Sequence, residues 1–200
     1  MLEMNTQART ASGFSLIELL VTVALIAILM ALGVPSFTTF QRNSELTSRA
    51  NSLLASMNAA RGEAMKRGRD AVVAPLDGAN WSSGAIAFVD INNNLTYDSA
   101  TDILVFSNND PIPNYLTITA TGPANASPPY IRFDAQGYPK PASPDPRNFS
   151  FSITRNDVSG TEEFSQTRRL IVAITGRGRV CKPTSASDAN CTASITTTAN

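Results

Sequence analysis

The chain has 200 residues, sixteen Lys and Arg against sixteen Asp and Glu, two cysteines and no histidine. The balanced charge selects no partner, and two thiols without a histidine cannot complete a usual zinc site. There is no Gly-x-Ser-x-Gly nucleophile motif and no glycine-rich phosphate loop entering a helix, so neither an enzyme nor a cofactor is expected.

The first element begins at Gly13, which closes a polar leader. From Phe14 to Val34 the run is apolar except for Glu18. At about 1.5 Å per residue it makes roughly 30 Å of helix, enough to cross a bilayer core. A carboxylate in hydrocarbon costs about 2.5–3.5 kcal/mol on insertion scales, which marks Glu18 as functional. The run exceeds the roughly 7–15-residue core of a secretory signal, and no small-x-small cleavage site precedes the soluble part.

Gly13-Phe14-Ser15-Leu16-Ile17-Glu18-Leu19-Leu20-Val21-Thr22-Val23 resembles the class III signal of type IV pilins and type II secretion pseudopilins. The resemblance implies that a prepilin peptidase cuts between Gly13 and Phe14, that Phe14 is then N-methylated, and that Glu18 serves filament assembly. In physical terms, a carboxylate in a filament core can pair with the Phe14 ammonium of a neighbouring subunit. Unpaired burial of either charge is costly, so pairing favours one axial register. The expected location is the inner membrane, single-pass, with the following domain in the periplasm. The leader carries Arg9 against Glu3, and a start at Met4 instead of Met1 would leave it net positive.

Pro35 is expected to kink or interrupt the helix, with a single helix, bent near Pro35, running on into the domain. Beyond it, Leu46, Ala50, Leu53, Met57, Ala60 and Ala64 recur at intervals of four and three, an apolar stripe on an amphipathic helix that Gly68 should stop. Arg42, Arg49, Arg61, Lys66, Arg67 and Arg69 read mainly as its solvated face. Short strands then follow, near Ala71–Ala74, Ala85–Val89, Ile103–Phe106, Tyr115–Thr119, Tyr130–Phe133, Phe149–Thr154 and Leu170–Thr175. Proline-rich loops separate some of them, at Pro123–Pro129 and Pro139–Pro146. The expected architecture is α+β: a leader at 1–13, a membrane or filament-core helix at 14–34, its amphipathic continuation at 35–69, and a β-rich domain with antiparallel sheet at 70–200.

Asn51-x-Leu53-x-x-Ser56-x-Asn58-x-Ala60-Arg61-x-Glu63-Ala64-x-Lys66-Arg67-Gly68 resembles the GspH/FimT branch of this family. So do Phe88-Val89-Asp90-x-Asn92-x-Asn94, Arg132-Phe133-Asp134-x-x-Gly137, and Arg168-Arg169-Leu170-x-Val172 through Thr175-Gly176-Arg177. Asp90–Asp98 superficially resembles a calcium loop, but Leu95 and Thr101 stand where an EF-hand needs glycine and glutamate. A hairpin connection is the preferred reading.

Charge is unevenly distributed. No Lys or Arg lies between Arg69 and Arg132, and no acid between Glu163 and Asp188. In the basic part, Arg177 and Arg179 are two apart, which in an extended chain puts them on one face. The intervening glycines are expected to let a polyanion approach the backbone, and Lys182 and Arg169 to widen the patch. Cys181 and Cys191 are expected to form a disulfide that holds the strand end, contributing roughly 2–3 kcal/mol. Gly176-Arg177-Gly178-Arg179 resembles the Gly-Arg-x-Arg motif of FimT-like minor pilins implicated in capturing DNA for natural transformation. Phosphate contacts of this kind are salt-dependent and indifferent to sequence.

Two functions are thus expected side by side. One is a minor pilin, assembled with other pilins, whose domain binds DNA through Arg177, Arg179 and Lys182. The other is an H-type minor pseudopilin of a type II secretion system with no DNA role, its basic strand edge discouraging strand pairing or docking on another subunit.

Overall fold

A computed structural model describes residues 13–140 and 148–192. The leader before Gly13, the Met1 or Met4 start and most of the loop Pro139–Pro146 lie outside the described residues. The chain divides into two units, Met1–Arg42 and Asn43–Asn200.

Helix α1 is Leu16–Arg67. In the first unit every described residue from Gly13 to Val34 is exposed. A helix apolar all round needs an apolar environment that this segment of the chain does not itself supply. The helical assignment runs through Pro35 without interruption, so one helix continues as expected. Proline there has no N–H for the Ala31 carbonyl.

In the second unit the expected stripe is realised in full. Leu46, Ala50, Leu53, Met57, Ala60 and Ala64 are all buried, between 0% and 8% exposed. Gly68 adopts φ +64, and the Arg69 amide donates to the Ala64 carbonyl at 3.2 Å. That is the Schellman closure, available to glycine because it has no Cβ.

The strands are β1 Ala71–Pro75, β2 Ala85–Val89, β3 Ile103–Asn108, β4 Leu116–Ala120, β5 Ile131–Phe133, β6 Phe149–Arg155, β7 Thr167–Val172 and β8 Gly178–Cys181, with a short helix α2 at Glu162–Ser165. They form two antiparallel sheets of four, in the orders β3-β2-β1-β5 and β4-β6-β7-β8. The split into two sheets follows from pairing between distant segments, which periodicity does not encode. Expected Leu170–Thr175 is displaced to Thr167–Val172, because Ile174 and Thr175 are drawn into a turn before Gly176.

Both sheets and α1 share one core. It combines small residues, Ala60, Ala64, Ala71, Ala85 and Ala87, with the larger Phe133, Phe149, Phe151 and Leu170. Trp81 packs edge-on against Phe151 with ring centroids 4.9 Å apart, and its indole N–H donates to the Ala124 carbonyl at 2.8 Å. Burying that donor without an acceptor would be costly.

The connection from β2 to β3 is a hairpin loop, as preferred from sequence. Asp90 accepts the amides of Asn94 (3.2 Å) and Leu95 (2.9 Å), and Asp102 accepts those of Ile91 and Asp98, both at 2.9 Å. These carboxylates shape the loop. Its Leu95 and Tyr97 then cover Val72 and Phe88 on the outer face of the first sheet.

At the start of this unit the Tyr115 hydroxyl donates to Glu45, which also pairs with Arg49 at 3.2 Å. Arg49 in turn donates to the Asp110 carbonyl at 3.0 Å. The Tyr115 hydrogen bond, more than Arg49, holds the Glu45 carboxyl below its usual range. A depressed carboxyl contributes stability above its unfolded pKa, and that contribution is lost as pH falls through the lower folded value. Tyr115→Phe should therefore lower stability by about 1–2 kcal/mol at neutral pH. Urea unfolding of the full chain in detergent should show the deficit narrowing below about pH 4.

Candidate functional site

Gly13, Phe14 and Ser15 precede the first helical residue, so the Gly13–Phe14 bond lies outside the helix. The helix is started by Ser15 and Glu18. Glu18 Oε2 accepts the Ser15 amide at 3.0 Å and the Ser15 hydroxyl at 2.9 Å, while the Glu18 amide donates to Ser15 Oγ at 3.3 Å. This reciprocal pattern is a capping box, Ser-x-x-Glu. Glu18 thus closes the helix start of its own chain, a role not read from the sequence.

The other expected site lies on the β7–β8 hairpin. Its turn is closed by the Gly176 amide to the Ala173 carbonyl at 2.8 Å and the Ala173 amide to the Arg177 carbonyl at 3.0 Å. Arg177 and Arg179 are both exposed, while Gly178 and Val180 between and beyond them are half-buried toward the core. The two arginines do share a side, as their spacing predicts. Among the described residues, the Arg177 side chain makes no hydrogen bond or ion pair. Lys182 is exposed just past β8, one step out of the arginines' alternation.

The glycines have a different role from the one expected. Gly176 is buried with φ +78, and a Cβ there would lie 2.2 Å from the Gly137 carbonyl oxygen. Gly178 faces α1, where a Cβ would come within 2.6 Å of Leu54 Cδ1. Both serve close packing inside the domain.

Two clamps hold the ends of this segment. On the turn side, Arg61 of α1 donates through Nε to the Gly137 carbonyl at 2.9 Å and through Nη2 to the Thr175 carbonyl at 3.3 Å. It joins the Asp134–Tyr138 turn after β5 to the β7–β8 turn. Arg61 is therefore not simply part of a solvated helix face, and neither is Arg49. Lys66 and Arg67 are on that face, paired with Glu63 at 2.9 and 2.6 Å.

On the strand-end side, Cys181 and Cys191 form the expected disulfide. Arg179 Nη2 donates to the Asn190 carbonyl at 2.6 Å, and Arg169 Nη1 to that of Cys191. Asp188 accepts the Thr184 amide and hydroxyl and the Asn190 amide, each at 3.0 Å. These bonds, the Thr184 amide foremost, hold its carboxyl below the usual range.

Arg169 does not widen the surface patch. It is 9% exposed and lies beneath the cysteine loop, with its Nε unpartnered among the described residues. Arg168 is likewise structural: it bonds Asn43 Oδ1 at 2.9 Å and Thr47 Oγ1 at 3.1 Å, fastening β7 to α1. Burial lowers its pKa.

Removing the turn-side clamp with Arg61→Ala should cost about 1.5–3 kcal/mol, since hydrogen bonds from charged donors are the stronger class. Gly176→Ala should destabilise more than Gly178→Ala. The Leu54 methyl can swing aside, whereas the Gly137 carbonyl is backbone and the positive φ of Gly176 adds strain. Urea unfolding of the three variants gives the ranking.

Residues 49–176 match the family described as type II transport protein GspH, and residues 8–34 match the prokaryotic N-terminal methylation motif. No curated protein matches the chain in sequence. Among solved structures it is similar to the type IV minor pilin FimU of Pseudomonas aeruginosa. One crystal form (P21) gives 20% identity and a TM-score of 0.51 over 73% of this chain and 99% of that one. Another (P65) gives 20% and 0.49 over 68% and 92%. The minor pseudopilin EpsH of the Vibrio cholerae type 2 secretion system gives 13% and 0.44 over 69% and 97%. The FimU likeness in the P21 form bears on the fold, a long helix followed by antiparallel sheets. With the GspH match covering more than half of its length and the methylation motif at its head, the chain belongs to the GspH family and is a subunit of the pilin and pseudopilin type.

Proposed function

We propose that this subunit is a minor pilin whose exposed domain captures extracellular DNA for natural transformation through Arg177 and Arg179, with Lys182 as an accessory cation. The observation that carries the reading is the exposure of both guanidinium groups on one side of β8, with no acidic side chain against either among the described residues. Arg179 is oriented by the Asn190 carbonyl and keeps its remaining N–H groups for a ligand. Arg177 leaves a turn fixed by Gly176 and Arg61. Cations positioned in this way bind phosphates and release counterions.

In the same proposal, prepilin peptidase cuts at Gly13–Phe14 and Phe14 is N-methylated. The helix 14–34 holds the subunit in the inner membrane, domain in the periplasm, until it joins the filament. Cleavage frees the Phe14 ammonium. Glu18 then has a choice between its own Ser15 and a neighbour's amino terminus, and the ionic partner favours one axial register. Glu18→Leu should reach the membrane and be cleaved but fail to enter filaments, as read by the sheared-filament fraction. Incorporation equal to wild type would contradict this role.

A second reading is an H-type pseudopilin of a secretion system without a DNA role. It is favoured by the position of β8 at a sheet edge, where exposed arginines blunt unwanted strand pairing. A salt-titrated duplex DNA binding assay on the full chain in detergent separates the two. Arg177→Ala and Arg179→Ala should each weaken binding and make the salt slope shallower, by about 0.9 for every phosphate that is no longer neutralised. Equal affinity in all three proteins would leave the second reading.

A further inference from the structure

Five large apolar side chains of the second unit are exposed among its described residues: Met65, Leu76, Leu104, Tyr138 and Ile174. Three of them, Met65 (46%), Tyr138 (45%) and Ile174 (57%), lie on the three elements that Arg61 joins: the end of α1, the turn after β5 and the β7–β8 turn. The two turns are in contact, since a Cβ on Gly176 would meet the Gly137 carbonyl oxygen at 2.2 Å. Met65 Sδ is similarly close to Gly137, 2.8 Å from a Cβ placed there. Tyr138 follows Gly137 and Arg177 follows Gly176. With 3.8 Å between successive α-carbons, their own α-carbons lie within roughly 10 Å.

Tyr138 differs from the domain's other aromatic residues. Trp81 packs on Phe151, Tyr97 on Phe88, and Tyr115 bonds Glu45. Tyr138 is the one exposed aromatic in the described part of this unit. Its backbone is held, because Asp134 Oδ1 accepts the Tyr138 amide at 2.8 Å and the Gln136 amide at 3.0 Å. The Asp134 carboxylate is therefore engaged within its own turn. The helix end beside Met65 carries Lys66, Arg67 and Arg69 against Glu63, which pairs with the first two, and Asp70, which pairs with Arg132 and Lys140. An exposed ring on a held backbone, exposed apolar side chains and a surplus of cations thus meet at one pole of the domain.

Resting on the phosphate-binding reading of Arg177, we infer that this pole is a site for single-stranded DNA, in which Tyr138 stacks a base while Arg177 holds the adjoining phosphate. Cations alone do not distinguish strand forms. An exposed ring does, since duplex bases are stacked on one another and present only their edges, whereas a single strand can turn a base face onto it. Ile174 and Met65, exposed on the elements next to Tyr138, would then add apolar surface beside the stacked base. The charge surplus favours a nucleic acid over an apolar protein partner.

The test compares a labelled oligothymidine with a duplex of equal length, using the full chain in detergent and a salt titration. Tyr138→Ala should weaken single-strand binding about 5- to 100-fold, leave duplex binding within about twofold and keep the salt slope. Tyr138→Phe should retain wild-type affinity. Arg177→Ala should weaken both forms and make the slope shallower. Equal losses on both strand forms, or none on either, for Tyr138→Ala would overturn the stacking role while leaving the phosphate reading intact. Wild-type protein that binds neither form would overturn both. If Tyr138→Ala left DNA binding unchanged but reduced recovery with other filament subunits, the pole would be a protein contact and the inference wrong.

Discussion

The pole of this domain that carries Arg177 and Tyr138 is tied together by one guanidinium. Arg61 stands four residues before Met65 and gives two donors to two carbonyls, Gly137 and Thr175, which belong to turns on different sheets. Without it, no hydrogen bond among the described residues would link these two turns of separate sheets, which otherwise meet by packing of Gly176 on Gly137. A charged donor bridging both makes them one surface. Arg177 and Tyr138 neighbour each other because of that bridge.

The bridge itself requires close approach, which small residues allow. Ala60 and Ala64 of α1 lie in the core shared with both sheets, Gly178 brings β8 onto Leu54, and Gly176 lets the β7–β8 turn sit against Gly137. At the opposite end of β8 the disulfide and the Asn190 carbonyl fix Arg179. The segment is thus restrained at both ends with Arg177 and Arg179 exposed, which under the proposed DNA reading would reduce the ordering needed on binding. The apolar part, Phe14 to Val34, has a separate logic: no described residue of it is covered within its own unit, and its single acid caps the helix start.

What is legible in the sequence is local and periodic. The stripe from Leu46 to Ala64, the stop at Gly68, most strands and the cysteine pair follow from spacing or from residue type. The Gly13–Phe14 junction and Glu18 are legible through their motif. Features made by residues distant in sequence are not legible: the division into two sheets, the burial of Arg169 under the cysteine loop, and the Arg61 bridge spanning 61, 137 and 175. The glycines of the Gly-Arg-Gly-Arg segment stand out in the sequence, but their packing role does not, because their neighbours Gly137 and Leu54 are far away along the chain. Ile174 and Thr175 look like strand by their branching, and the positive φ of Gly176 makes them turn instead.

The claim that Arg61 unites the two turns into one binding surface is tested most directly by a double-mutant cycle on single-strand affinity. Arg61→Ala, Arg177→Ala and the double variant would be compared with wild type in the full chain. The account predicts strong coupling: in the Arg177→Ala background, Arg61→Ala should remove little further affinity, because its effect is carried by the placement of Arg177. Losses that simply multiply would contradict it and show Arg61 and Arg177 to act independently.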